Sequence, residues 1–155
     1  MHSIDTKFEE LGLVLPTPSA AVANYVPYVI TGNLVVISGQ LPVRDGEIIF
    51  KGKVGVELST EQAQDAARLC GLNILTQLKA ALNGDWARLV RCVRLGGFVN
   101  CTSDYTAQPS VINGASNLMV DILGVNVGRH ARAAVGVNAL PLGAAVEIEA
   151  TFEIC

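Results

Sequence analysis

The residues best suited to chemistry lie in the last quarter of the chain, in ARAAVGVNALPLGAAVEIEATFEI from Ala131 to Ile154. This stretch reads as two strands joined by a short connection containing Pro141 and Gly143. Side chains alternate along a strand. Ala131, Ala133, Val135 and Val137 therefore share one face of the first strand, and Arg132, Ala134 and Gly136 share the other. The guanidinium is flanked along its own face by almost nothing, which leaves room for a small ligand against it. On the second strand Val146, Ile148, Ala150 and Phe152 form one row, and Glu147, Glu149, Thr151 and Glu153 the other. One sparse arginine and a row of carboxylates on neighbouring segments is the strongest chemical lead. The same pattern also reads as a structural ion pair between Arg132 and Glu147 or Glu149.

Other reactive side chains are scattered. Cys70, Cys92, Cys101 and Cys155 form no CxxC pair and no metal-like spacing with His2 or His130, so they read as small hydrophobes and no metal site is expected. His130 reads as solvent-facing, and Trp86 as a core or edge cover.

These groups need a scaffold, and the rest of the chain supplies one. Residues Asp5 to Leu11 suit a short helix stopped by Gly12, and Pro16 and Pro18 favour an extended lead-in. Two β-rich runs, Tyr25 to Ile30 and Leu34 to Ser38, flank a Gly32-Asn33 turn. Asp45-Gly46 marks a second turn, between Leu41–Val43 and Glu47–Phe50. Ser59, with Gln62 three residues on, forms a capping box before a helix. That helix buries Ala63, Ala66, Ala67, Cys70, Ile74, Leu78 and Ala81 and ends near Gly84. Leu89 to Val99 is strand-like, with a bulge or close backbone approach expected at Gly96-Gly97. After a loop from Asn100 to Gln108, Pro109 opens a helix whose buried stripe is Val111, Ile112, Ala115, Leu118, Met119, Ile122 and Leu123.

This order predicts an α+β fold with one mixed sheet and both helices on one face. Two helices cannot coat both sides of a sheet, so a second copy of the chain is the economical cover for the other. Half of the 155 residues are hydrophobic and mean hydropathy is +0.41, yet no apolar run approaches the roughly 18–20 residues of a membrane helix. A chain this apolar, with no membrane span, points to a homo-oligomer. The net charge of −3 and the absence of a Lys/Arg cluster argue against a general nucleic-acid binder. No basic and apolar leader opens the chain, so a reducing cytoplasm is the expected location. One domain spanning 1–155 is expected, with an N-terminal extension over 1–23 and a core over 24–155.

Asn24-Tyr25-Val26, the run GNLVVISGQLPV from Gly32 to Val43, the central helix, Phe98–Asn100 and ARAAVGVNALPLGAAVEIEA resemble the RidA/YjgF family, also labelled endoribonuclease L-PSP. The resemblance spans most of the chain from about Tyr25 onward. It implies a chorismate-mutase-like fold, a homotrimer with a central β-barrel, and ligand clefts between subunits. It further implies hydrolysis of reactive enamines and imines such as 2-iminopropanoate to 2-oxo acids and ammonia, with no cofactor. Residue by residue, Arg132 matches the arginine that binds the substrate carboxylate, a task suited to a bidentate guanidinium. Glu147 matches the glutamate associated with the attacking water. Tyr25, Ser38 and Gly39 match pocket-wall positions, Asn113 an asparagine near the cleft, Ala134 a further wall position, and Pro141 the proline between the last strands.

The sequence also departs from the family pattern. Ala133-Ala134 follows Arg132 where deaminating members commonly carry Ser-Cys, so the wall at Ala134 is smaller and lacks a thiol. The loop from Asn100 to Gln108 is longer than in short members and, with the N-terminal segment, reshapes the pocket mouth. A non-catalytic, small-carboxylate-binding or chaperone-like protein on the same trimeric scaffold is the alternative reading. RNA cleavage and chorismate-mutase activity are further rivals, the first opposed by charge and the second without a motif.

Overall fold

The computed structural model describes residues 3–18 and 23–155; His2 and part of the 1–23 segment lie outside the described residues. In chain order the elements are α1 (Ile4–Glu10), β1 (Tyr28–Thr31), β2 (Leu34–Gln40), β3 (Val43–Arg44), β4 (Glu47–Ile48), α2 (Thr60–Ala81), β5 (Leu89–Asn100), α3 (Gln108–Leu123), the short α4 (Val125–Gly128), β6 (Ala131–Val137) and β7 (Val146–Ile154). Five strands form one mixed sheet in the order β1-β2-β7-β5-β6. The pairs β1/β2, β2/β7 and β5/β7 are antiparallel, and β5/β6 is parallel. A parallel neighbour needs a crossover, and α3 supplies it.

The sheet's inward rows explain why both long helices dock on one face. Val35, Phe152 and Cys92 lie in one row, and Ile37, Ala150 and Leu95 in the next. All six are buried. All seven residues of each expected helical stripe are buried too. In α2 burial also reaches Leu69, Leu72, Asn73, Thr76 and Gln77. The N-terminal segment and the β3–β4 hairpin cover this second side. The Thr76 hydroxyl donates to the Pro16 carbonyl (3.2 Å), and the Asn73 amide donates to the carbonyls of Leu41 (2.9 Å) and Val43 (3.1 Å).

Local signals act where they are expected. The capping box at Ser59 closes in both directions, with Gln62 N–H to Ser59 Oγ at 3.1 Å and Ser59 N–H to Gln62 Oε1 at 2.9 Å. Trp86 packs on Phe8 with ring centroids 6.3 Å apart, and its indole donates to Asp5. The double glycine serves close approach: a Cβ at Gly97 would stand 2.6 Å from Ile112 Cδ1 of α3. The ladder irregularities of β5 lie upstream, between Leu89 and Arg94.

One expectation is overturned. The last two strands are not neighbours, because β5 lies between β6 and β7. Arg132 shares a row with Leu95 and Ala150 on the helix side, whereas Glu147 shares a row with Phe98 and Val135 on the open side. The cause is register parity. The apolar row Val146–Phe152 must face the helices, which sends the glutamates to the opposite face.

Candidate active site in two halves

The first half is built by α3 and β6. Arg132 Nη1 donates to Asn113 Oδ1 (2.9 Å) and Ser116 Oγ (3.0 Å), and Nη2 reaches the Pro109 carbonyl (3.4 Å). Asn113 and Ser116 meet the same guanidinium because residues three apart share a helix face. All three acceptors are neutral. Among the described residues no carboxylate pairs with Arg132, and Glu149 is taken by Arg94 at 3.4 Å. This overturns the reading of Arg132 as an ion-pair partner of Glu147 or Glu149. Arg132 faces a pocket of about 230 Å³ lined also by Asn113, Ser116, Asn117, Arg129 and His130. Ala134, next on the same face of β6, packs against the core.

His130 is a correction as well. It is half-buried, not solvent-facing: Nε2 lies 2.9 Å from Ser116 Oγ, and Nδ1 lies 2.7 Å from the Gly128 carbonyl oxygen. Burial pushes its pKa down, and the Arg132 charge acts the same way against the opposing hydrogen bond to Gly128. Sequence reasoning passed over Ser116, Asn117 and Arg129, and it read His130 as solvent-facing. The available signal was spacing, since Ser116 stands one turn from Asn113.

The second half lies on the open face, where β2 meets β7. The Glu147 side chain is half-buried and forms no hydrogen bond among the described residues. Its pKa is raised, first by burial and then by the charge of Glu149. Gly39 gives the carboxylate its space, because a Cβ there would stand 2.5 Å from Glu147 Oε1. Ser38 Oγ donates to the Val26 carbonyl at 2.7 Å, which fixes the segment carrying Tyr25 beside β2. Tyr25 itself is exposed and precedes β1. Pro141 opens an exposed 3₁₀ turn, Pro141–Gly143, ahead of β7.

Within one chain the predicted residues thus fall into two groups: Arg132 with Asn113, and Glu147 with Gly39, Ser38 and the Tyr25 segment. Two strand spacings of about 4.8 Å and the thickness of the sheet separate them. A larger cavity, of about 680 Å³, opens between the 101–108 loop and the end of β6 and contains none of the predicted residues. Its Lys53 ammonium is held by Asn100 Oδ1 and by the Cys101 and Asn138 carbonyls. Among the described residues no three His, Cys, Asp or Glu side chains group as a metal site, and no helix is long and apolar enough to cross a membrane.

Residues 5–152 match the family described as "YjgF/chorismate_mutase-like, putative endoribonuclease". The chain belongs to the RidA/YjgF family. Protein TCP17 of Trypanosoma cruzi is 44% identical over 151 residues, covering 97% of this chain and 94% of TCP17. The crystal structure of Atu1372 from Agrobacterium tumefaciens superposes with a TM-score of 0.92 at 50% identity, over 98% of this chain and 92% of that one. An endoribonuclease-labelled protein from Shewanella oneidensis reaches a TM-score of 0.94 at 31% identity, over 99% of this chain and all of that one. The α+β fold with a mixed sheet is therefore that of the RidA/YjgF family, and the expected chorismate-mutase-like class agrees with the family description.

Proposed function

We propose that this protein hydrolyses small enamine and imine carboxylates of the 2-iminopropanoate type to 2-oxo acids and ammonia, at clefts between the subunits of a homotrimer. The observation that supports this reading is the separation just described. Among the described residues Arg132 keeps donor capacity with no anion beside it, and Glu147 is a carboxylate of raised pKa with no hydrogen-bond partner. They occupy opposite faces of the sheet, so one chain cannot bring them to one substrate. A site containing both requires two copies, the Arg132 half of one meeting the Glu147 half of the next. The open face has the character to receive a copy: Val29, Val36 and Val135 are exposed on it, beside the carboxylates of Glu147 and Glu149. Closing three such sheets around an axis makes the central barrel.

In the proposed reaction Arg132 clamps the substrate carboxylate and presents the imine carbon to a water held by Glu147. The water oxygen forms its bond to that carbon while Glu147 takes a water proton. The C=N π electrons pass to nitrogen, which takes that proton back from Glu147. The resulting amino alcohol then breaks its C–N bond as the carbonyl forms, the hydroxyl proton passing by way of Glu147 to the nitrogen, which departs as ammonia. A carboxylate whose pKa is raised toward neutrality is a better base for this step than an ordinary glutamate. An iminium carbon is already electrophilic, so positioning supplies much of the acceleration.

The deciding experiment is ammonia-coupled hydrolysis of freshly generated 2-iminopropanoate by wild type and Arg132→Ala. Wild-type turnover is expected, with kcat/KM falling by about 10³-fold or more in the variant while the oligomer persists. Wild type that binds pyruvate but shows no turnover above buffer replaces the hydrolase with a carboxylate-binding protein.

A further inference from the structure

The Arg132 pocket contains a hydrogen-bond chain that runs in one direction. The Gly128 carbonyl can only accept, so His130 Nδ1 carries a proton and donates to it at 2.7 Å. With the ring neutral, Nε2 is then bare, and it accepts the Ser116 hydroxyl proton at 2.9 Å. Ser116 Oγ in turn accepts from Arg132 Nη1 at 3.0 Å. Donation therefore passes from Arg132 to Ser116, to His130 and to Gly128, and the serine hydrogen is committed away from the pocket.

Protonating His130 reverses one link. Nε2–H becomes a donor to Ser116 Oγ, which then accepts from both His130 and Arg132. The serine hydroxyl hydrogen must turn elsewhere, and the pocket lined by Ser116, His130 and Arg132 lies open beside it. We propose that Ser116 and His130 complete the Arg132 pocket as a proton-coupled anion site, in which a bound carboxylate draws a proton onto His130 and receives the freed Ser116 hydroxyl. His130 is a positioning residue here, and Ser116 touches the ligand.

The charges around the ring agree with this reading. From β6 and the turn before it come Arg132 and Arg129, both lining the pocket. From β5 the Arg91 guanidinium reaches the Arg129 carbonyl at 3.4 Å, and Arg94 is paired with Glu149. From α3 the pocket receives the neutral Asn113, Ser116, Asn117 and Val120, and no carboxylate is among its lining residues. Within one chain the charges lining the pocket beside it are cationic and half its surface is buried, so the free protein disfavours a second proton on His130. An added carboxylate offsets those cations and removes the opposition to a second proton. By linkage, anything that binds one protonation state more tightly shifts the balance toward it.

This inference rests on Arg132 holding a carboxylate. It is tested by titrating pyruvate into the wild-type protein from pH 8 to pH 5.5, a range in which the carboxylate stays ionised. The His130 ring is followed in parallel by NMR, its signal identified as the one that remains in His2→Asn. The expected result is pyruvate affinity that rises as pH falls, by up to about tenfold for a His130 pKa that moves up by about one unit on binding. The slope should flatten in His130→Asn and shrink in Ser116→Ala. Pyruvate binding with a flat pH profile and an unmoved His130 signal overturns this inference while leaving the carboxylate clamp standing. No pyruvate binding at any pH overturns both. Because the ring is read directly in wild type, the test does not depend on either variant folding.

Discussion

The two halves of the candidate site are prepared differently by the same chain. Around Arg132 the fold is generous with acceptors: a side-chain amide, a hydroxyl and a carbonyl, all neutral and all from α3, hold the guanidinium in place. Its orientation is set, and its charge is left without a counter-ion. Around Glu147 the fold is sparing, since a half-buried carboxylate stands above Gly39 with no donor among the described residues and with Glu149 adding like charge on the same row. One half is a preorganised cation and the other a destabilised anion. A cation fixed by its own chain is ready to bind. An anion raised in energy by its own chain is ready to take a proton, and it gains most from a neighbour that its chain does not provide.

The sharpest way to break this comparison is to separate the halves onto different subunits. Arg132→Ala and Glu147→Gln should each be inactive as pure proteins. Co-expressed in equal amounts, they should regain about a quarter of wild-type turnover, because one cleft in four then joins an intact Arg132 to an intact Glu147. Mixed oligomers that stay at background would show that the two side chains never serve the same cleft.

A smaller effect is expected at Gly39. The added methyl of Gly39→Ala must displace the Glu147 carboxylate from its position at 2.5 Å. Turnover should fall by roughly tenfold to a hundredfold, the scale of an ångström-sized misplacement. Pyruvate affinity, which depends on the other half, should change little. Equal losses in turnover and binding would mean that the halves are not independent.

The smallest effect is on stability. A glutamate whose folded pKa is raised pays for its charge in the native state above that pKa. Glu147→Gln should therefore raise the melting temperature at neutral pH. The difference should vanish as the pH falls below the unfolded value of about 4.3, where both states are protonated. Thermal unfolding across pH 4 to 8 measures it. A variant less stable than wild type at pH 7 would mean that Glu147 makes a favourable contact in the assembled protein.

Much of this molecule follows from local rules. Capping at Ser59, the stripe from Val111 to Leu123 and the alternation around Arg132 and Glu147 depend on residues a few positions apart, and each reappears in the fold. The matched segments from Gly32 to Val43 and from Ala131 to Ala150 likewise carried the family. What those rules cannot specify is strand order. β6 and β7 are consecutive in the chain, yet the α3 crossover lays β6 beside β5 on the side away from β7. Arg132 and Glu147, fifteen positions apart, are sent to opposite faces by the parity of rows that must bury Leu95 and Ile148 against the helices. His130 was misjudged for the same reason. Its partners, Ser116 and Gly128, belong to α3 and α4, and only the packing of those helices beside β6 turns an ordinary turn histidine into part of the Arg132 pocket.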